Sequence, residues 1–322
     1  MKYGDLVSII VPVYNRAHLI SRSVGCLVTQ SYYNLDIILV DDCSSDDIEG
    51  AVAELGDSRI RLIRRKRNGG SSAARNTGIA AAKGNLIAFH DSDDLCVFDK
   101  IERQMRALEK LPEDYIGIYT AVLFYPKVNL DTYSEMKPRI RPLANSSPLS
   151  GDMYKATVGG NVMNLPTMLL KKKALVAAGE LDERLRNNVD WDLTLRLTKQ
   201  GKFHFLPEPS YLVASPISRA DISQSIARSL KYSAKSFVFI TGKLRRSGER
   251  SPALARHYYN ASTIFLQLGR PGFSRRYLRA ALSIGPFHLR YLVLYFVSHV
   301  PSLYPPLRWL KRRGKPDLKN PL

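Results

Sequence analysis

Carboxylates gather in three places in this sequence: Asp41-Asp42, Asp91-Ser92-Asp93-Asp94 and Asp190-Trp191-Asp192. A run as dense as the second is costly to leave uncompensated, because neighbouring like charges repel. A divalent cation relieves that repulsion most simply, since hard cations prefer oxygen ligands. Held there, a cation can bridge two phosphates and neutralise charge developing on a leaving diphosphate. The run also suits a helix N-terminus, where acidic residues are favoured, and Asp94 fits that role.

A second constellation is Asn68-Gly69-Gly70-Ser71-Ser72-Ala73-Ala74-Arg75-Asn76. A glycine loop before a helix lets backbone N–H groups approach phosphate, and Arg75 adds a planar donor fork. An ordinary tight turn with an exposed Arg75 is the alternative. No G-x-G-x-x-G follows the first strand and no G-x-x-x-x-G-K-[ST] is present, which argues against dinucleotide and P-loop chemistry.

Other chemistry-bearing residues read as structural. His90 has no second ligand at metal spacing, and His18 falls on a solvated helix face. Trp191 suits either a core position or a stacking surface for a sugar. The three cysteines, Cys26, Cys43 and Cys96, are widely spaced, which predicts reduced thiols and no zinc framework, with Cys43 small and buried.

The elements that must position these groups follow from hydrophobic patterning. Val7–Val13 and Leu35–Val40 are short β-branched runs that predict buried strands, with further strands over 59–63 and 85–89. Helical spacing predicts helices over 17–30, 46–55, 71–82 and 98–110. Alternating strands and helices imply a mostly parallel sheet with helices on both faces. In such sheets ligands bind beyond the carboxyl ends of the strands, where Asp41-Asp42 and Asp91–Asp94 fall. Residues 126–160 read as a long irregular segment. Pattern returns with an apolar run at 167–170 and helices over 172–178 and 189–198, the last opening on Asp190 and Asp192.

Charge divides the 322-residue chain. Residues 216–322 carry 20 Lys or Arg against 3 Asp or Glu, a net of +17 out of +19 for the whole. This basic part reads as helical. Within it, 291–307 is apolar but too short and proline-interrupted for a span, and Arg308, Lys311, Arg312 and Arg313 follow at once. That combination suits an interfacial segment on an anionic membrane surface, and a helical packing domain with a solvated basic face is the alternative. Nucleic acid is disfavoured as a partner, because the carboxylate clusters repel phosphate unless a metal intervenes. Met1–Asp5 runs straight into the first strand, which predicts a cytoplasmic protein, peripheral at the inner face of the plasma membrane.

Taken in order, five segments resemble the family 2 glycosyltransferases: Val7–Asn15, Ile38–Asp46, Ala74–Gly78, Asp91–Asp94 and Asp190–Leu193. The resemblance covers roughly residues 5–218. It implies a GT-A fold with a nucleotide-binding half (1–110) and an acceptor half (111–215), followed by the basic region 216–322. It also implies a nucleotide-sugar donor, UDP favoured, with Mg²⁺ or Mn²⁺, and a glycan or glycolipid acceptor. On that resemblance Pro12, Tyr14, Asn15 and Asp41 contact the nucleoside and Arg75 lies near the donor. Asp91 and Ser92 meet the ribose or sugar, Asp93 ligates the metal, and Asp190 is the general base of an inverting transfer. Asp192 is the fallback base.

Two departures stand out. Val189 occupies the position of an acidic neighbour to the base, and Tyr211-Leu212-Val213-Ala214 lacks the Arg and His that many relatives carry there. The absence of Gln-x-x-Arg-Trp favours transfer of a single sugar over processive polymerisation. The classes set against this are a sugar-nucleotide-binding protein of the same fold that has lost turnover, and a nucleotidyltransferase.

Overall fold

The structure is a computed structural model, which describes residues 4–124, 139–141, 149–213, 222–285 and 288–299. Most of the segment read as irregular, Ala214, and the basic run from Arg308 to Arg313 lie outside these residues. The chain divides into two compact units, Met1–Ala220 and Asp221–Leu322.

The first unit is built on a sheet of nine strands. In chain order they are β1 (Val7–Val13), β2 (Leu35–Asp41), β3 (Ile60–Arg64), β4 (Leu86–Phe89), β5 (Leu95–Cys96), β6 (Tyr115–Phe124), β7 (Arg139–Arg141), β8 (Met168–Lys171) and β9 (Lys202–Val213). The spatial order is β3-β2-β1-β4-β8-β6-β9-β5, with β7 beside β6. Strands β3, β2, β1 and β4 pair in parallel; β8 runs antiparallel to both β4 and β6, and β9 parallel to β6. Six strands therefore share one direction, and β5, β7 and β8 oppose it.

Parallel central strands are covered on both faces, so they read as continuous apolar runs. Seven helices serve the sheet: α1 (Ala17–Val28), α2 (Ile48–Ala53), α3 (Ser71–Ala81), α4 (Lys100–Glu109), α5 (Tyr154–Gly159), α6 (Lys172–Ala177) and α7 (Val189–Leu197). Ile9, Val11 and Val13 of β1 pack with Ile20, Val24 and Leu27 of α1 and with Ile101 and Met105 of α4. The opposite face of β1 meets α3. A Cβ at Gly78 would lie 2.4 Å from Ile10 Cγ2, so only glycine lets α3 approach so closely. A buried polar knot ties the strand starts: Asp36 accepts from Ser8 Oγ at 2.6 Å and from Arg61 at 2.6 and 2.9 Å.

The second unit is helical: α8 (Ile222–Arg246), α9 (Pro252–Gln267), α10 (Pro271–Ile284) and α11 (Leu289–Val297). Leu266, Leu278, Leu294 and Val297 form its inner cluster. On the other side of α11, Leu289, Val293 and Phe296 are exposed at i, i+4 and i+7. Among the described residues no helix is long and apolar enough to cross a membrane.

Candidate active site

The chain reverses direction around β1: β2 and β3 continue to one side, β4 to the other. Such a switch point opens a crevice at the carboxyl ends of the strands. A cavity of about 500 Å³ lies there. Its wall combines Pro12 and Val13 at the end of β1 with Tyr14 and Arg16 after it, Asp42 after β2, Asn68, Gly70, Ser71, Ala74 and Arg75 around the start of α3, and Asp91, Ser92 and Asp93 after β4.

Each loop is fixed by identifiable bonds. Asn15 sits at φ +51°, a left-handed conformation that asparagine tolerates, and its Oδ1 accepts from Ser45 N at 2.8 Å. That bond joins the loops after β1 and β2. Asp42 organises the glycine loop: its carboxylate accepts from Gly69 N at 3.0 Å and Gly70 N at 2.6 Å, and pairs with Arg65. The carboxylate thereby neutralises two backbone donors just ahead of α3. Asp41, by contrast, is buried off the cavity wall, where it accepts from Ser44 N at 2.8 Å and faces Arg64 at 3.4 Å. Directly after them Cys43, expected to be small and buried, is exposed, in a left-handed backbone conformation (φ +68°).

Among the described residues, arginines pair with two carboxylates of the acidic run, and Arg22 also reaches Asp93 O at 3.2 Å. Arg16 meets Asp93 Oδ1 at 2.8 Å and also reaches Ser92 Oγ at 3.3 Å. Arg75 pairs with Asp91. Tyr211, buried on β9, holds the backbone of the run by accepting from Asp91 N at 3.0 Å. Arg75 is itself buried, and its Nε has no hydrogen-bond partner among the described residues. Arg75 lines the cavity wall, and a guanidinium there suits a phosphate oxygen.

Asp190 is the second residue of α7, which starts straight after Asn188 in the left-handed region. Its Oδ2 accepts from Asn161 at 2.7 Å and its Oδ1 from Trp191 N at 3.0 Å. Burial pushes its carboxyl above the ordinary value, partly offset by Asn161 and by the nearby Arg75 charge. Arg75 thus influences carboxylates on both sides of the site. The positioning comes from Asn76, which exchanges two hydrogen bonds with the backbone of Leu181 at 2.9 and 3.1 Å, and from Arg186, which reaches Gly69 O at 3.2 Å. Asp192 is turned away and pairs with Arg196 at 2.9 Å, a structural role. Trp191 is buried with Nε1 donating to Thr157 O at 2.8 Å, so it belongs to the core. Val189 is buried.

Do these residues fit a divalent cation? Asp91 and Asp93 present hard oxygens at a cavity wall, and each is currently balanced by an arginine. Magnesium-type ions are commonly held by one or two carboxylates, with substrate phosphates completing the shell. The donor set fits that mode.

One grouping escaped sequence reasoning. Cys26, His90 and Cys96 converge behind the acidic run, with the two sulfurs 3.3 Å apart.

Residues 8–155 match the family model described as Glycosyl transferase family 2. A glycosyltransferase of Rickettsia prowazekii is 29% identical over 230 residues, 71% of this chain and 69% of that protein. The Escherichia coli enzyme WfgD, a UDP-Glc:alpha-D-GlcNAc-diphosphoundecaprenol beta-1,3-glucosyltransferase, is 43% identical over 105 residues, 33% of this chain and 42% of that enzyme. In fold, the chain is similar to the mannosyltransferase PcManGT of Pyrobaculum calidifontis, solved with GDP-Man and Mn²⁺ (TM-score 0.57, 18% identity, 96% of this chain and 83% of that one). It is also similar to S. aureus TarS 1-349 solved with UDP-GlcNAc (TM-score 0.55, 15% identity, 91% and 79%).

Proposed function

Since this chain belongs to the family 2 glycosyltransferases and has their GT-A fold, we propose that it moves one sugar from a nucleotide donor, UDP-linked in the first place, to a hydroxyl of a lipid-linked glycan. The observation that carries this reading is the convergence of four loops, distant in sequence, on one cavity, where Arg75 pairs with Asp91 and its charge also acts on Asp190. The nucleoside would lie against Pro12, Tyr14 and the Asp41-Asp42 end of β2, with Asp42 the carboxylate on the wall. Asn15 would act by shaping this loop. The diphosphate would meet the start of α3, whose N-terminal N–H groups favour anions, and the unpaired Nε of Arg75. Asp93 would hold Mg²⁺ or Mn²⁺, with Asp91 and Ser92 toward the ribose or sugar. When bound, the cation supplies charge neutralisation on the leaving diphosphate.

Asp190 takes the proton from the acceptor hydroxyl. Burial raises its pKa, which makes it a stronger base once ionised. A single-displacement attack on the sugar carbon inverts its configuration. The lipid-linked acceptor is supported by the relatives that act on diphosphoundecaprenol-linked GlcNAc. Membrane contact is supported by the basic C-terminal region and by the exposed stripe on α11.

The test is a thermal-shift panel of UDP, GDP and dTDP, each with and without Mn²⁺. A ligand that binds only the folded chain raises its melting temperature by mass action. UDP with Mn²⁺ should give the largest rise, and Asp93→Asn should lose the manganese-dependent part. Indifference to every nucleoside diphosphate would overturn the reading.

A further inference from the structure

Two of the three cysteines are far apart in sequence yet adjacent in the fold. Cys26 on α1 and Cys96, the last residue of β5, bring their Sγ atoms to 3.3 Å. His90, which follows β4, points Nε2 at Cys26 Sγ from 3.9 Å. All three ligand atoms lie within 4.8 Å of one another. His90 and Cys96 are buried, while Cys26 is half-buried and gives the cluster an opening toward the surface.

We propose that Cys26, His90 and Cys96 form a binding site for one thiophilic divalent cation, with zinc the reference occupant. The site is separate from the oxygen-lined cavity and does not depend on the transferase reading.

Donor chemistry comes first. Two sulfurs and one imidazole nitrogen form a soft-to-borderline set that selects zinc over magnesium or manganese. Geometry agrees. With Zn–S of about 2.3 Å and Zn–N of about 2.0 Å, a tetrahedral ion separates two sulfurs by about 3.8 Å and sulfur from nitrogen by about 3.5 Å. The observed 3.3 and 3.9 Å straddle these values, and the third separation, Cys96 to His90, lies within 4.8 Å, so side-chain adjustment alone would close the three ligands on an ion. Ser23 Oγ, 3.1 Å from His90 Nε2, or a water can take the fourth position.

The charge state is also prepared. Cys26 Sγ receives the Cys96 N–H at 3.3 Å. Its pKa is lowered to about 4, chiefly by the hydrogen bond from the Cys96 thiol, against burial and with help from His90. The Cys96 thiol is pushed well above its ordinary value by its hydrogen bond to Cys26 and by burial, with the Lys100 charge opposing, so it keeps its proton until a cation binds. Cation binding would displace the remaining thiol proton and satisfy both sulfurs.

Position gives the site a consequence. His90 directly precedes Asp91, and Cys96 lies two residues beyond Asp94. A cation held by both residues and by Cys26 would clamp the two ends of the acidic run to α1.

The test uses the full chain, reduced and freed of metal with a chelator, then titrated anaerobically with Co²⁺. One equivalent should produce thiolate-to-cobalt charge-transfer absorption, which Zn²⁺ then bleaches. The carboxylate site cannot give that band, because it offers no sulfur. Cys26→Ser and Cys96→Ser should each abolish the band, and Cys43→Ser should leave it intact. In the unmodified chain, stoichiometric Zn²⁺ should protect Cys26 and Cys96, but not Cys43, from alkylation read by mass spectrometry. That measurement stands even if a variant fails to fold. No charge-transfer band, a band that survives both serine substitutions, or absence of zinc protection overturns the proposal. So does recovery of the pair only as an intramolecular disulfide, which would make it a redox couple instead.

Discussion

Asn161 donates its side-chain amide to Asp190 Oδ2 at 2.7 Å, which fixes the carboxylate at the mouth of α7. This bond favours the ionised form, whereas burial disfavours it, and burial prevails. If Asp190 is the base, the acid limb of kcat/KM lies above the ordinary carboxylate range of about 4. Asn161→Ala removes a bond that holds the pKa down, so that limb should move to higher pH. A pH–rate profile checks this, and a limb that stays put or moves down speaks against the assignment.

Arg75 presents one nitrogen to Asp91 and leaves Nε unpaired. A hydrogen bond from a charged donor to a phosphate oxygen contributes about 2 kcal/mol. Arg75→Lys keeps the charge but loses the fork, so kcat/KM for the donor should fall by about 30-fold, the same energy as a rate ratio. Donor titrations should show the loss mainly in KM. An unchanged KM would place Arg75 outside the donor site.

The approach of α3 to β1 depends on Gly78. Gly78→Ala should destabilise the chain by about 1–3 kcal/mol, as overpacking does, because its Cβ would meet Ile10 Cγ2 at 2.4 Å. Ile10→Ala should cost less in the Gly78→Ala background than alone. Urea unfolding of the four chains of that cycle reads the coupling, and simple additivity would contradict the contact.

Acid stability is linked to Asp36. Burial alone would raise its carboxyl, but the Arg61 fork, the Ser8 hydroxyl and the Lys83 N–H outweigh it and hold the pKa below the usual value. A lowered pKa gives stability that is present at neutral pH and lost as pH falls through the folded-state value. Asp36→Asn should therefore cost about 3 kcal/mol at neutral pH, and its deficit against wild type should shrink on acidification. Chemical unfolding at neutral and acid pH tests this; a constant deficit would rule out the linkage.

The stripe on α11 bears on membrane contact. Phe296→Asp places a charge among the exposed Leu289 and Val293 without touching the inner cluster around Leu294 and Val297. Sedimentation with anionic vesicles should fall sharply for this variant, and salt should weaken binding of both proteins. Equal sedimentation would remove the stripe from the account.

Much of residues 1–110 was legible because β1, β2 and β4 are buried on both faces and so appear as unbroken apolar runs. Two of the acidic clusters stand at their ends, where the cavity lies. Strands β6 and β9 escaped notice. Gly117 and Thr120 blur the pattern of the first, and Pro207 and Pro209 interrupt the second, where the pairing shifts register. The choice between Asp41 and Asp42 was also hidden. They are adjacent at the end of one strand, and only the three-dimensional partners, Ser44 N for Asp41 and the Gly69 and Gly70 N–H groups for Asp42, tell their surroundings apart. Cys26 and Cys96 stand 70 positions apart, and no local spacing rule links them.

If Asp190 takes the acceptor proton in a site that binds the donor without it, replacing it stops turnover and spares binding. UDP-sugar turnover on a diphosphoundecaprenol-linked GlcNAc acceptor, measured beside UDP binding for wild type and Asp190→Asn, separates the two. Loss of kcat by about 10²–10⁴-fold with UDP affinity unchanged is expected. Turnover retained by Asp190→Asn, or UDP binding lost together with turnover, would contradict it.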